Sequence, residues 1–192
     1  MPKTKRFLFA PPREDVDAME RQTGSLEERV LFRLEPYAGL RSCEIVGDKT
    51  HPGLRAEDID FQREKLMIYG KGWATGKVPP REQPIDKTTL GLLKQLVETK
   101  KIQGKLFPSW YTRRHRRFIK ALAIRAGVAH AKDMSTHRLR AHFVTQIIRK
   151  TNGNLSLARK LARHKDIRTT EKYVFLMEEE TDKAYHEVMD GP

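Results

Sequence analysis

Cysteine is nearly absent: Cys43 stands alone among 192 residues. That excludes an intramolecular disulfide and any zinc site built on several cysteines, and it fits a reducing compartment. Long apolar runs are missing too, and none approaches the ~20 residues that span a bilayer. The basic stretch from Met1 to Ala10 has too short an apolar part for a secretory signal. Internal repeats and low-complexity segments are also lacking. Acidic residues are scarce in one region. Residues 111–173 hold 17 of the 38 Lys and Arg but only Asp133, Asp166 and Glu171 among the 25 Asp and Glu. That third of the chain therefore carries the whole net charge of +13. Charge of one sign repels itself unless a partner neutralises it, which favours a polyanion-binding face over a merely solvated one.

What is present suits one soluble globular domain, with 38% apolar and 33% charged residues. Residues 1–24, with Pro2, Pro11, Pro12 and Gly24, read as an arm or linker with a short helix at 15–21. Ser25-Leu26-Glu27-Glu28 predicts a capping box opening a helix with Leu26, Val30, Leu31 and Leu34 on one side. Pro36 ends it. A short helix follows at 40–46, then a loop through Pro52-Gly53. Residues 65–69 predict a strand, 70–76 a glycine-rich turn, and 77–85 a returning edge strand broken by prolines. Asp86 predicts the cap of a helix carrying Leu90, Leu93, Leu96 and Val97. Further helices are expected at 110–126, stopped by Gly127, and from a cap at Ser135 or Thr136 to Asn152-Gly153-Asn154. Two more are expected at 155–163 and 166–177, ahead of an acidic tail at 178–192. The class is α+β: mainly helical, with one small antiparallel sheet.

Two motifs carry chemistry. His137 and Arg140 lie three apart at a helix start, on one face, beside outward N–H groups and the positive helix dipole. A phosphate there meets an arginine fork and an imidazole together. Taken alone, the pair reads as a helix cap with two solvated side chains, since the pattern is common. Tyr173, nine residues after His164 and followed by Val174 and Phe175, reads alone as a core tyrosine.

Four boxes taken together resemble the catalytic domain of the tyrosine recombinases, the family of phage integrases, Xer-type recombinases and their archaeal relatives. They are Tyr37-Ala38-Gly39-Leu40-Arg41-Ser42-Cys43-Glu44-Ile45, Tyr69-Gly70-Lys71-Gly72, His137-Arg138-Leu139-Arg140, and His164 with Thr169-Thr170 and Tyr173. Their order and spacing agree over residues 25–176. The chain departs from the pattern in four places. Arg163 replaces the usual glycine before the last histidine. Ala141-His142 stands where His-Thr is commoner. The loop at 47–57 is long, and the hairpin tip is Trp73-Ala74-Thr75-Gly76. About 24 residues stand where most members carry a separate helical domain, so the chain is either a piece of a longer protein or a minimal member.

The resemblance implies a tyrosine recombinase catalytic-domain fold over residues 25–177, with 178–192 a tail that docks either on a neighbouring subunit or on its own domain. It implies Tyr173 as nucleophile, forming a 3′-phosphotyrosyl link without cofactor or metal. Arg41 and Arg140 would hold the non-bridging phosphate oxygens, His164 would add a hydrogen bond, and His137 would be base or orienter. Lys71 would protonate the leaving 5′-oxygen, with Lys77 the runner-up. Glu44, three residues after Arg41, would buttress it. The basic helix, with Arg113, Arg114, Arg116, Arg117, Lys120 and Arg125, is expected on DNA phosphates. His51, His115, His130 and His186 read as surface residues, and no cluster has metal-ligand spacing. The implied partners are double-stranded DNA and further copies of the chain, as dimer or tetramer, with no membrane. The implied setting is a cytoplasmic, DNA-associated protein of prokaryotic, archaeal or viral origin. Three other readings stay open: a type IB topoisomerase-like enzyme, an inactive DNA-binding regulator with the same fold, and a fragment that cleaves without recombining.

Overall fold

Caps and prolines set the element boundaries. A computed structural model describes residues 9–70, 73, 76–173 and 189. The chain runs α1 (Arg13–Glu20), α2 (Leu26–Arg33), α3 (Ser42–Val46), β1 (Ile59–Asp60), β2 (Lys65–Ile68), β3 (Arg81–Pro84), α4 (Lys87–Lys100), α5 (Thr112–Ala126), α6 (Thr136–Lys150), α7 (Leu155–Ala162) and α8 (Arg168–Glu171). The fold is α+β, mainly helical, with a three-stranded antiparallel sheet in the order β1-β2-β3.

Ser25 Oγ accepts from the Glu28 N–H at 3.2 Å, as the capping box requires, but Glu28 reaches back to Gly24 N at 2.7 Å rather than to Ser25. Asp86 caps α4 through Thr89 N at 3.0 Å, and Leu90, Leu93 and Leu96 are buried behind it. Gly127 ends α5 at φ 63, and Asn154 opens α7 by accepting from Leu157 N at 2.9 Å. Ser135 holds the N-cap place of α6, but its side chain makes no capping bond. The returning strand is shorter than expected. Pro79 and Pro80 offer no N–H, so pairing with β2 covers only Arg81 to Pro84, with Gln83 opposite Leu66.

One large core joins α1, α2, the sheet, α4 and α5, with Leu31, Phe32, Leu66, Leu93, Ile119 and Leu122 fully or almost fully buried. A smaller one lies between α6 and α7, around Phe143, Val144, Ile148, Ala158 and Ala162, and Tyr173 packs against it. Residues 13–20 are part of this body, not a free arm: Val16 and Met19 are fully buried. The segment before them is strapped to α6. Pro11 carbonyl meets His142 Nδ1 at 2.8 Å, and the Arg138 guanidinium lies 4.6 Å over the Phe9 ring. Residues 174–188 and 190–192 fall outside the described residues, and with them most of the expected final helix and tail.

Candidate active site

Arg41 enters the site at the N-terminus of α3. Glu44, three residues on, folds back so that Oε2 accepts from Arg41 N at 2.7 Å and Oε1 from Arg41 Nη1 at 2.9 Å. Glu44 is almost fully buried, while the Arg41 side chain keeps 36% of its surface open. The arginine is therefore braced from behind and exposed in front, which is the geometry of a group that can receive an anion.

Arg140, on α6, is buried. Its Nη1 donates to the Gly39 carbonyl and its Nη2 to the Ala162 carbonyl. One guanidinium thus joins the turn before α3 to the end of α7. Burial, helped by Arg41 and Arg163, draws its pKa down to about 9, against the pull of Glu44 and Tyr173. At neutral pH it remains a cation in a poorly solvated place. His164 is half-buried, and its Nδ1 lies 3.0 Å from Thr170 Oγ1. Burial, then Arg140, Arg41 and Arg163, lowers its pKa to about 4, so the ring is neutral at pH 7. His137 keeps an exposed edge, yet partial burial and then Arg116, Arg140, Arg41 and Arg138 push its pKa down. A neutral imidazole has an open nitrogen for a proton.

Tyr173 stands beside them. Its ring is near-parallel to that of His164, at 13°, with centroids 6.2 Å apart. Burial raises the phenol's pKa, while Arg140, Arg138 and Arg41 oppose that rise. Burial wins, so the phenol is protonated in the free protein. Lys71 lies outside the described residues. Two residues before it in the chain, Tyr69 donates its hydroxyl to Asp58 Oδ1 at 2.9 Å, and its ring meets Trp73 at 4.5 Å. Lys77 is exposed.

On α5, Arg113, Arg116, Arg117 and Lys120 keep their side chains open to solvent in part or in full. Arg114 is engaged within the protein: it stacks 4.4 Å over Trp110 and donates to the Ser109 carbonyl at 2.7 Å. Arg125 likewise donates to the Gln22 carbonyl at 3.0 Å. His115 is not a surface residue. It is fully buried, with Nδ1 3.0 Å from Ser42 Oγ, and burial lowers its pKa to about 3. The stripe of Phe118, Ile119 and Leu122 continues back through position 115, a signal legible in the sequence. Among the described residues, Cys43, Asp48 and His51 bring one ligand atom each within 4.8 Å, although their spacing gave no such signal. Asp48 Oδ1 is occupied there, accepting from Thr50 N at 2.7 Å and His51 N at 2.9 Å.

Arg163 is the residue that motif reading undervalued. It follows α7 at φ 56, a left-handed position that costs a non-glycine residue about 1–2 kcal/mol. Its side chain is nevertheless 6% exposed and ion-pairs with Glu44 Oε2 at 2.7 Å.

The profile of the phage integrase family matches residues 14–180. The tyrosine recombinase XerD of Lacticaseibacillus casei is 27% identical over 166 residues, covering 84% of this chain and 54% of its own. The tyrosine recombinase XerA of Saccharolobus solfataricus is 29% identical over 168 residues, covering 86% and 51%. The chain spans about half the length of these curated relatives. Among solved structures, a XerA recombinase superposes with a TM-score of 0.76 at 17% identity, over 98% of this chain and 66% of that one. The catalytic domain of bacteriophage HP1 integrase gives 0.62 at 18%, over 97% and 99%. XerH bound to difH before cleavage gives 0.70 at 18%, over 93% and 53%. At such identities the structures establish a shared fold.

Proposed function

The chain belongs to the phage integrase family, and from that premise we propose that it is the catalytic part of a site-specific DNA recombinase or integrase. One observation carries the reading. Arg140 joins the turn before Arg41 to the end of α7, which leads into His164, and the Tyr173 ring lies near-parallel to that of His164 with centroids 6.2 Å apart, so residues spread over the chain meet in one cluster.

In the proposed reaction the Tyr173 oxygen bonds to a DNA phosphorus, and the bond from that phosphorus to the 5′-oxygen breaks. The phenolic proton passes to a base, for which neutral His137 is the candidate. The departing 5′-oxygen takes a proton, with Lys71 the candidate donor. The phosphodiester energy is kept in the 3′-phosphotyrosyl bond, so rejoining needs no nucleotide. Glu44 carries one negative charge against those of Arg41, Arg140 and Arg163, leaving the pocket net positive. A phosphate relieves that imbalance, and the charge growing on it in the transition state deepens the attraction. The free tyrosine is held protonated by burial, so DNA must complete its activation. Arg113, Arg116, Arg117 and Lys120 would place the duplex by its phosphates. Double-stranded DNA is the partner this assigns, with assembly of several copies on it. Residues 178–192 are the candidate link between copies.

A pool of nicked duplexes with randomised sequence tests the reading without a known site. The nick lets the short piece that carries the freed 5′-hydroxyl diffuse away and so traps the covalent complex. On a denaturing gel, a protein–DNA band absent from Tyr173→Phe supports it. Salt-sensitive DNA binding with no such band makes the chain a binding protein. Relaxation of supercoiled plasmid of unrelated sequence would favour the topoisomerase-like reading instead.

A further inference from the structure

Arg163 stands where backbone geometry prefers glycine, yet its guanidinium is buried and bound on several sides. Its Nη2 donates to Glu44 Oε2 at 2.7 Å and to the Gly39 carbonyl at 3.1 Å, and its Nη1 donates to Gln83 Oε1. Each partner leads to a different part of the site. Glu44 is the carboxylate that holds Arg41 by its backbone and side chain. Gly39 supplies the same carbonyl that Arg140 binds. Gln83, 1% exposed, sits on β3, the strand that pairs with β2 and follows Lys71 in the chain. The next residue after Arg163 is His164 itself. One buried fork therefore ties together three parts of the site that are far apart in the chain.

We propose that Arg163 is a positioning residue for strand cleavage. It fixes Arg41, Arg140 and the β2–β3 hairpin relative to one another, so that the two phosphate-gripping arginines are set before DNA arrives. The inference rests on the proposed recombinase chemistry. Its physical basis is a competition for Glu44. That carboxylate accepts from two arginines, and Arg163 occupies Oε2 with a rigid, buried fork. Without it, Arg41 is left as the guanidinium that answers the Glu44 charge, and is drawn back from the side that would meet the phosphate. Lysine does not substitute, because a single ammonium cannot span Glu44, Gly39 and Gln83 as a planar fork does.

The test uses the full chain and the nicked-duplex pool, with three variants: R163M, which keeps the buried stem, R163K, and R163G, which suits the left-handed backbone. The expected result is a fall in single-turnover adduct formation by about 10²-fold, typical of a small misplacement at a reacting centre. DNA binding should change by less than about threefold, since the residue is buried. Methylguanidine added to R163G should recover part of the rate, and should do nothing for R163M, where the stem fills the space. Cleavage at the wild-type rate in all three variants overturns the proposal. So does a loss that tracks DNA affinity or the unfolded fraction, read from thermal melts of the same samples. A readout without DNA separates this from failure of the recombinase reading. The arginine Nε–H cross-peaks of Arg41 and Arg140, assigned by 15N NMR, should shift in R163M. Unmoved peaks sink the positioning role even if wild-type protein forms no adduct, and shifted peaks sustain it.

Discussion

Acid should destabilise this protein through His115, and the effect is large enough to isolate. The imidazole is fully buried on α5, with its Nδ1 3.0 Å from Ser42 Oγ and the Trp110 ring edge-on at 6.5 Å. Burial lowers its pKa to about 3, from an ordinary value near 6.5. The folded state therefore refuses a proton that the unfolded chain accepts between those two values. Stability is complete above about pH 6.5 and is lost as pH falls toward 3. The slope contributed by one such group is up to about 1.4 kcal/mol per pH unit, or up to about 5 kcal/mol across the window. The consequence is local as well as global. Ser42 lies between Arg41 and Cys43, so a charged His115 pushes on the helix whose N-terminus holds Arg41. His115→Asn keeps a polar atom near the Nδ1 position but cannot titrate. Urea unfolding from pH 3.5 to 7.5 should show a shallower fall in acid for the variant than for the wild-type chain. The midpoint at pH 7.5 will also drop, because part of a ring is removed, but the slope is the readout. Equal slopes would refute the buried neutral imidazole.

Glu35 should show the opposite sign. Its carboxyl is fully buried, 3.8 Å from His115 Nδ1, and burial raises its pKa well above the ordinary value against Arg140 and Arg116. The folded state holds a proton that the unfolded chain releases above about pH 4.5, so stability falls as pH rises through that range. Glu35→Gln should remove the fall and gain on the wild-type chain in urea unfolding at pH 8, with the gap closing toward pH 5. Gly39→Ala should destabilise by at least about 2 kcal/mol in thermal unfolding, from overpacking and a left-handed backbone. Its new Cβ would lie 2.3 Å from Phe143 Cδ1 at φ +63, beside the carbonyl that two arginines share. Neutralising Arg113, Arg116, Arg117 or Lys120 should flatten the dependence of log affinity on log salt by ~0.9 for each phosphate that is no longer neutralised. Arg114→Ala should lower the melting temperature with little change in that slope, because the guanidinium is spent on Trp110 and Ser109.

The helices were legible where caps and stripes are local. Asp86 and Gly127 act within one turn of where they stand, and α4 begins and α5 ends there. The boxes were legible as an ordered pattern; the fold sets Arg140 against the Gly39 and Ala162 carbonyls and lays Tyr173 beside His164, while Lys71 lies outside the described residues. What escaped depends on distant partners. Arg163 read as a departure from a glycine, because the Gly39 and Gln83 groups it binds are 124 and 80 residues away. His115 differs: its place on the stripe of Phe118, Ile119 and Leu122 was legible, and only its partner Ser42, 73 residues away, was not. Val16 and Met19 made too short an apolar stripe to reveal that α1 packs into the core. The length of β3 was misjudged because prolines weaken pairing without marking where it resumes.

Trypsin after Lys172 and Lys183 releases a peptide in which Tyr173 is the only tyrosine. Mass spectrometry of the trapped, nuclease-trimmed complex therefore identifies the attacking residue and the end of DNA it holds. A nucleotide on Tyr173, joined through a 3′-phosphate with a free 5′-hydroxyl on the departing strand, is the predicted result. An adduct on another tyrosine such as Tyr111, or a 5′-linked nucleotide on Tyr173, would contradict the assignment of the site.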